Sequence, residues 1–196
     1  GDRVQEGEAR RRPGASRDGL GGWQTTSGLM HAAAVGHLQS VQVWLEAGAN
    51  PKLKAPRGGE SAVTLAAKAG QHDTVRALLR SRASPDDADA DGTTALMSCA
   101  SEDELLSMQL LLQAGARVAV ADRTGATALL RATRAGRAAA VSRLLAAPAS
   151  YDTVDRADHA GQTPLCCAAA GGQPELCVAL LKAGARINLC DKEGLS

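Results

Sequence analysis

Aromatic side chains are almost absent from this sequence. Among its 196 residues there is no Phe, and Trp23, Trp44 and Tyr151 make up the whole aromatic class. Hydrophobic residues still account for 44% of the chain, which is an ordinary share for a globular protein. A buried core must therefore be built from Leu, Ala and Val. Such small side chains favour closely packed helix pairs over a thick two-layer sandwich.

A strong net charge and long apolar runs are also missing. The 22 basic and 21 acidic residues leave a net charge of +1, so nothing indicates a nucleic acid or a membrane surface as the partner. No apolar run approaches the roughly 18 residues that a transmembrane helix requires. The Arg-rich N-terminal region lacks the apolar stretch of a signal peptide. We therefore expect no membrane insertion and an intracellular protein, cytoplasmic in the simplest case, with nuclear and cytoskeletal locations left open.

The cysteines follow no paired pattern. They are odd in number and irregularly spaced, which the reduced thiols of an intracellular protein explain most simply. Zinc sites usually contain ligand pairs about two to four residues apart, and no such pair occurs here, although His159 precedes three of the thiols. We predict no metal site and no cofactor. The five cysteines are Cys99, Cys166, Cys167, Cys177 and Cys190.

One acidic segment resembles half of a calcium-binding loop. Asp87, Asp89, Asp91 and Gly92 match the first half of an EF-hand loop, but the twelfth position, which requires a bidentate Glu, is Ser98. The same residues also lead into one copy of the repeat described below. We therefore interpret them as a structural loop.

Catalytic patterns are missing as well. The four histidines, His31, His37, His72 and His159, lie beside no convincing nucleophile motif. No glycine-rich loop is followed by the Lys-Ser or Lys-Thr of a phosphate-binding site. We expect that the chain is not an enzyme.

What the sequence does contain is an internal repeat. A hydroxyl residue, a small residue and an aliphatic residue are followed, after two variable positions, by small residues. A residue that is usually glycine stands nine positions after each hydroxyl, and an aliphatic run ending in a Leu pair or Trp-Leu follows. The spacings between successive hydroxyls are 34, 33, 33 and 36 residues. The five copies open at Ser27, Ser61, Thr94, Thr127 and Thr163.

Each part of the repeat has a physical role. A Ser or Thr before an aliphatic run predicts a helix N-cap, and Pro164 after Thr163 suits the first helical position. The later glycine predicts the end of that helix in a left-handed conformation. Leu, Val and Ala at spacings of three and four give the next helix one apolar face. A single helix pair cannot bury this face alone, so neighbouring pairs must stack.

These motifs resemble the ankyrin repeat. The resemblance is strongest in the fifth copy, where Asp158, Gly161, Thr163-Pro164-Leu165 and Gly184-Ala185 stand at the family's positions, and it covers roughly residues 22–196. It implies an all-α solenoid of antiparallel helix pairs, with hairpin-like loops, here called fingers, projecting to one side. It also implies a binding scaffold for a protein or peptide partner.

The repeat period divides the chain into units. Residues 1–21 are either a linker or a degenerate half repeat, and the segment from Asp191 looks like a sixth repeat that is cut off, so we expect part of a longer protein or larger complex. The predicted repeats are residues 22–54, 55–88, 89–121, 122–157 and 158–190, followed by the start of another at 191–196. The fourth carries three extra residues near 150–154.

The sequence departs from the family at one bracing position. The family usually has His after the leucine of the motif, where it links adjacent repeats. The five copies here have Met30, Thr64, Met97, Leu130 and Cys166 instead. We therefore question whether a polar link between repeats survives. Asp103 also replaces the glycine expected at the end of one helix.

The resemblance implies that a partner binds the finger tips and the exposed ends of the first helices, which line a concave face. Trp23 is of a type favoured at the centre of interfaces, with packing over the first helix as the alternative. The basic candidates outnumber the acidic ones, which favours an acidic partner, with solvated surface arginines as the alternative. Carried over by position, the candidates are Trp23, Arg57, Glu60, Lys68, Asp91, Arg123, Arg134 and His159.

Three functions remain open on the sequence alone. The first is an interaction scaffold that presents the concave groove to a protein or peptide. The second is a structural spacer in a large cytoskeletal or ciliary assembly. The third is a targeting or regulatory module of a longer enzyme. Because fold does not determine function, the partner cannot be named from the sequence.

Overall fold

The computed structural model describes residues 21–56, 58–148, 152–187 and 189, with side chains from residue 28 onward. These residues form helices joined in pairs by short turns, and their longer loops contain isolated antiparallel bridges. Within this part of the chain, no helix has both the length and the apolar character to span a membrane. The helices are α1 (Gly21–Val35), α2 (Leu38–Glu46), α3 (Ala62–Lys68), α4 (His72–Arg80), α5 (Ala95–Glu102), α6 (Leu105–Gln113), α7 (Ala128–Arg134), α8 (Ala138–Leu145), α9 (Pro164–Ala170) and α10 (Pro174–Lys182).

Four of the five predicted N-caps are confirmed. The hydroxyl oxygen of Thr94 accepts a hydrogen bond from the amide of Met97, and Thr127 accepts in the same way from Leu130. Ser61 and Thr163 cap α3 and α9 with the same geometry. Each cap satisfies an amide that would otherwise lack a partner in the first turn of its helix.

The first helix differs from the prediction, which placed Trp23 at a finger tip and a cap at Ser27. In the structure α1 begins at Gly21 and runs through Ser27. Five residues before the hydroxyl, three later repeats have an aspartate that closes the finger turn, and the second repeat has Pro56, which disfavours helix in the residue before it. The first repeat has Gly22 at this position, so neither feature opposes a helix through the segment.

The helices stack in two rows. Along the inner row, α1, α3, α5, α7 and α9 each contact the next, and the outer helices α2, α4, α6, α8 and α10 do likewise. Small residues such as Ala33, Ala67 and Ala100 are fully buried between inner helices, where their size permits close approach. The predicted all-α solenoid is confirmed, and its core consists of Leu, Val, Met and Ala with no large aromatic cluster.

Trp44 lies at the beginning of the stack and packs partly buried against this core. Its indole ring lies over Gly28 in α1, where an added Cβ would come within 2.5 Å of the ring atom Cζ2. Cys177 stands where α8 has the fully buried Val141, but it is only half-buried. In the described residues no further repeat packs against α10, which explains the difference.

The bracing position retains a polar link in two repeats. The Thr64 hydroxyl donates to the carbonyl of Asp87 at 3.4 Å, and the Cys166 thiol donates to the carbonyl of Leu189 at 3.4 Å. Both bonds reach the loop that leads into the following repeat, 23 residues further on. Met97 and Leu130 are buried at the same position, so apolar packing replaces the link between the central repeats.

Candidate protein-interaction surface

Each of three fingers is closed by one aspartate. The Oδ1 atom of Asp122 accepts hydrogen bonds from the amides of Thr124 (2.8 Å) and Ala126 (3.0 Å). Asp89 and Asp158 make the same pair of bonds, to the amides two and four residues further on. The sequence Asp-x-x-Gly therefore fixes the turn locally, because a single carboxylate oxygen satisfies two amides of the loop.

This geometry also explains the segment that resembles a calcium-binding loop. The carboxylate of Asp89 is occupied by the amides of Asp91 and Thr93 and by the ammonium group of Lys68. Among the described residues, no three His, Cys, Asp or Glu side chains are grouped so that they could hold a metal ion. The segment acts as a finger, which is the structural interpretation made from the sequence.

Adjacent fingers are joined at their tips by backbone hydrogen bonds. The amide of Ala90 donates to the carbonyl of Gly58 at 2.7 Å, and the amide of Arg123 donates to that of Asp91 at 2.9 Å. The amide of His159 donates to the carbonyl of Thr124 at 2.8 Å. Because each tip is held by its neighbour, the fingers of repeats two to five form one connected row.

Two of the candidate cations tie an inner helix to the finger of the next repeat. Lys68, in α3, contacts Glu60 of its own finger at 2.8 Å and Asp89 of the following finger at 3.4 Å. Arg134, in α7, pairs with Asp158 of the following finger, and its guanidinium also donates to Gln162. These side chains are partly exposed, but their charges are engaged within the molecule.

A more buried ion pair lies between these two, and sequence reasoning missed it. Arg131 contacts the carboxylate of Asp122 at 2.7 Å and donates to the hydroxyl of Thr93 in the preceding finger at 3.1 Å. Burial alone raises the pKa of Asp122, but the bonds from Thr124, Arg131 and the loop amides outweigh it and hold the pKa below its ordinary value. The available signal was an arginine four residues after the cap Thr127, which places it on the finger side of α7.

The pKa values of the other two finger aspartates are also lowered. Burial alone would raise these pKa values, but hydrogen bonds from the loop amides and from a nearby cation lower them by more. For Asp89 the loop amides contribute most, followed by Lys68. For Asp158 the strongest favourable contribution comes from Arg134. All three fingers therefore depend on an ionised carboxylate.

The remaining candidates are the side chains that face solvent. Asp91 and Arg123 occupy neighbouring tips, with side chains 81% and 73% exposed and their charged atoms 4.0 Å apart. His159 is an exposed tip whose ring lies over Gly125 of the preceding finger, since an added Cβ there would meet its Cδ2 atom at 2.8 Å. Asp91, Arg123 and His159 thus lie on one row and face solvent.

Some of the predicted partner-binding residues do not lie at exposed finger tips or outside the ion pairs described above, or lie outside the described residues. The backbone of Trp23 lies within α1 rather than at a finger tip, and its side chain lies outside the described residues, as do Arg57, Tyr151 and Cys190. Glu60 is half-buried beside Lys68. At the end of α1, Val35 is exposed and adds an apolar residue to the ends of the inner helices.

Two of the thiols, those of Cys99 and Cys167, are poorly suited to act as nucleophiles. Burial raises the pKa of Cys99 to about 12, and the nearby Glu104 carboxylate acts in the same direction. Burial also raises the pKa of Cys167, despite the favourable effect of Arg134. Since the thiolate is the reactive form, both groups are held in their unreactive state.

Comparison with known families agrees with the geometry. A family model described as Ankyrin repeats (3 copies) matches residues 29–122 and 108–191, so the two matches together span most of the chain. Among curated proteins, no relative matches the chain.

Proposed function

Because the chain belongs to the ankyrin repeat family, we propose that it binds a protein or peptide partner along its concave face. Ankyrin repeats are generally protein-protein interaction modules, and the family is typically non-enzymatic. The finer proposal is that the partner lies across the finger tips and the ends of the inner helices. We place this activity inside the cell, most simply in the cytoplasm, on the basis of an odd number of cysteines in the sequence, of which the four in the described residues are free.

The observation that carries the proposal is the connected row of tips. Backbone hydrogen bonds fix the tips relative to one another before a partner binds. The entropic cost of ordering these loops is therefore not added to the free energy of binding. The cationic side chains behind the tips, Lys68, Arg131 and Arg134, form ion pairs within the molecule. Among the described residues, the side chains of Asp91 and Arg123 form an ion pair only with each other, in an exposed contact with 4.0 Å between their charged atoms, and we assign them the central contacts.

Site-specific photo-crosslinking tests this assignment. A photoreactive amino acid replaces Arg123, and in a matched sample it replaces Arg80, an exposed residue on the outer helix α4. The chain is then irradiated in a cell extract. We expect a crosslinked protein from position 123 and none of the same mass from position 80.

The same experiment separates the other functions considered. A structural spacer held through its ends would give no specific crosslink at position 123. A module that contacts its partner through the outer helices would give the stronger crosslink at position 80. Either result would contradict binding on the concave face.

A further inference from the structure

Helix α6 is unlike the other outer helices, because its sequence from Leu105 to Gln113 contains no charged residue. The preceding outer helix, α4, carries Asp73, Arg76 and Arg80 on its solvent side. On α6 the corresponding surface includes Leu106, which is 59% exposed. The outer face of the solenoid is therefore locally apolar at the third repeat.

Next to this surface the outer face opens into a groove between the ends of α6 and α8. Its larger part has a volume of about 440 Å³. An adjoining part shares Leu112, Ala147 and Pro148 with the first and extends upward to Gln109 and Arg143. We call this surface the outer groove, and its apolar floor is formed by Leu112, Ala116, Val118, Ala147 and Pro148.

The fourth repeat leaves its second helix differently from its neighbours. After α6 and α10 the chain turns at Gly115 and Gly184, both with φ near +90°. The corresponding residue after α8 is Pro148, whose ring fixes φ near −65°, so the usual turn cannot form there. A smaller groove of about 210 Å³ lies at the corresponding junction of α2 and α4, and the outer groove differs from it in the apolar part beside Pro148.

Arg143 and Arg156 lie beside the apolar floor. Arg143 donates to Gln109 across the upper part of the groove at 3.0 Å, and Arg156 donates to the carbonyl of Ala119 at 2.7 Å. Neither forms an ion pair with a carboxylate of the described residues. Arg117 is already paired with Asp86 at 2.9 Å. The groove is therefore apolar at its centre and positively charged at its rim.

We propose that the outer groove binds a second partner segment, made of aliphatic residues flanked by carboxylates. The aliphatic side chains would cover Leu112 and Val118, and the carboxylates would meet the free donors of Arg143 and Arg156. Residues 1–20 of this chain are not our candidate, because Val4 and Leu20 are their only aliphatic residues larger than alanine. A partner bound here leaves the concave face open, so the chain joins two proteins.

Selection of short peptides from a displayed random library against the purified chain tests this inference. We expect enriched peptides that combine Leu, Ile or Val with Asp or Glu. Their affinity, measured by fluorescence anisotropy, falls about tenfold in Arg143→Glu, as loss and reversal of one charge contact implies. The milder Arg143→Gln gives a smaller loss, and exchanging a peptide carboxylate for Lys restores binding to Arg143→Glu.

The controls are matched for charge and exposure. Arg80→Glu changes the same charge on a neighbouring outer helix, and Arg123→Glu changes it on the concave face. Both should leave peptide affinity unchanged, with circular dichroism confirming that every variant is folded. Enrichment of basic peptides, or binding lost in Arg123→Glu and kept in Arg143→Glu, would overturn the inference. A concentration-dependent dimer that Arg143→Glu abolishes would show instead that a second copy occupies the groove.

Discussion

Asp103 shows how a single residue can replace a glycine and gain a contact. It ends α5 in the left-handed conformation, with φ at 63°, where the other repeats use glycine. Its Oδ1 atom accepts a hydrogen bond from the amide of Ala140 at 3.1 Å, in the first turn of α8. Asp103 therefore also caps a helix of the next repeat. The strain of its backbone is offset by a link between repeats.

Replacing Asp103 separates these two effects. Asp103→Ala should lower the free energy of unfolding by about 1–2 kcal/mol, because the cap is lost and the left-handed backbone is kept. Asp103→Asn retains an accepting oxygen and tolerates this conformation, so its cost should stay within about 0.5 kcal/mol. Urea denaturation of both variants measures the difference. Equal stability of the two would exclude the capping role.

Arg82 occupies a left-handed position without such a compensating bond. Its φ is 64°, whereas Gly48 and Gly115 serve the same turn in other repeats. Arg82→Gly should therefore raise the free energy of unfolding by about 0.5–1 kcal/mol, after allowance for the greater entropy of glycine in the unfolded chain. Chemical denaturation is again the measurement.

The reverse substitution is the control for Arg82. An added Cβ on Gly115 would meet nothing within 4 Å, so Gly115→Ala tests the backbone strain alone. It should destabilise by about 1 kcal/mol. If Arg82→Gly destabilises instead, the arginine makes a contribution that its backbone strain does not reveal.

At the scale of elements, the fingers of repeats three to five each depend on one ionised aspartate. Its charge closes the turn and ties the loop to a helix, as Asp122 does with Arg131. The folded pKa values of Asp89, Asp122 and Asp158 lie below the ordinary value. Their contribution to stability is therefore fully present above about pH 4 and is lost as the pH falls through the lower folded pKa.

Asp122→Asn tests this pH dependence. The amide oxygen can still accept from the loop, but the ion pair with Arg131 is lost, which should cost about 1–2 kcal/mol at neutral pH. The fall in stability below about pH 4 should be shallower than in the unmodified chain. Urea denaturation at several pH values gives both quantities.

The control for this substitution is Asp91→Asn. That side chain is exposed and lies 4.0 Å from its nearest cation, so its removal should change stability by no more than about 0.5 kcal/mol. An acid profile that Asp122→Asn leaves unchanged would show that other carboxylates control the acid response.

The contacts between helices and fingers also show which features could be predicted from the sequence. The Ser and Thr caps were predictable because the cap, its amide partner and the helix lie within four residues of one another. The pairs of Lys68 with Asp89 and of Arg134 with Asp158 join side chains more than 20 residues apart. From the sequence, both cations were predicted to contact a partner. Their ion pairs could not be predicted, because only the stacked repeats bring the carboxylates beside them.

At the scale of the whole molecule, each repeat contacts only its neighbours, so a weak junction can divide the stack. Leu130 is fully buried at the bracing position of the fourth repeat. Leu130→Ala should lower stability by about 2–5 kcal/mol and separate unfolding into two transitions. The exposed Leu181 is the matched control, and Leu181→Ala should preserve a single transition. Calorimetry distinguishes the outcomes, and a single transition in Leu130→Ala would show tighter coupling than this account allows.

The repeat period predicted the architecture of the molecule well, because stacking needs only a regular apolar pattern. It failed at the first repeat, where Gly22 stands in place of the finger aspartate and the cap predicted at Ser27 lies inside α1. It also gave no indication of the outer groove. Its lining comes from Pro148 and from two helices that meet only in the folded stack.

The central claim is that a protein partner binds the concave face through the row of finger tips. Its most direct test is the dissociation constant of the crosslinked partner, measured for the unmodified chain, Arg123→Glu and Arg80→Glu. The account predicts that Arg123→Glu weakens binding by about tenfold or more, whereas Arg80→Glu leaves it unchanged. Equal affinity of the unmodified chain and Arg123→Glu, or a loss confined to Arg80→Glu, would contradict it.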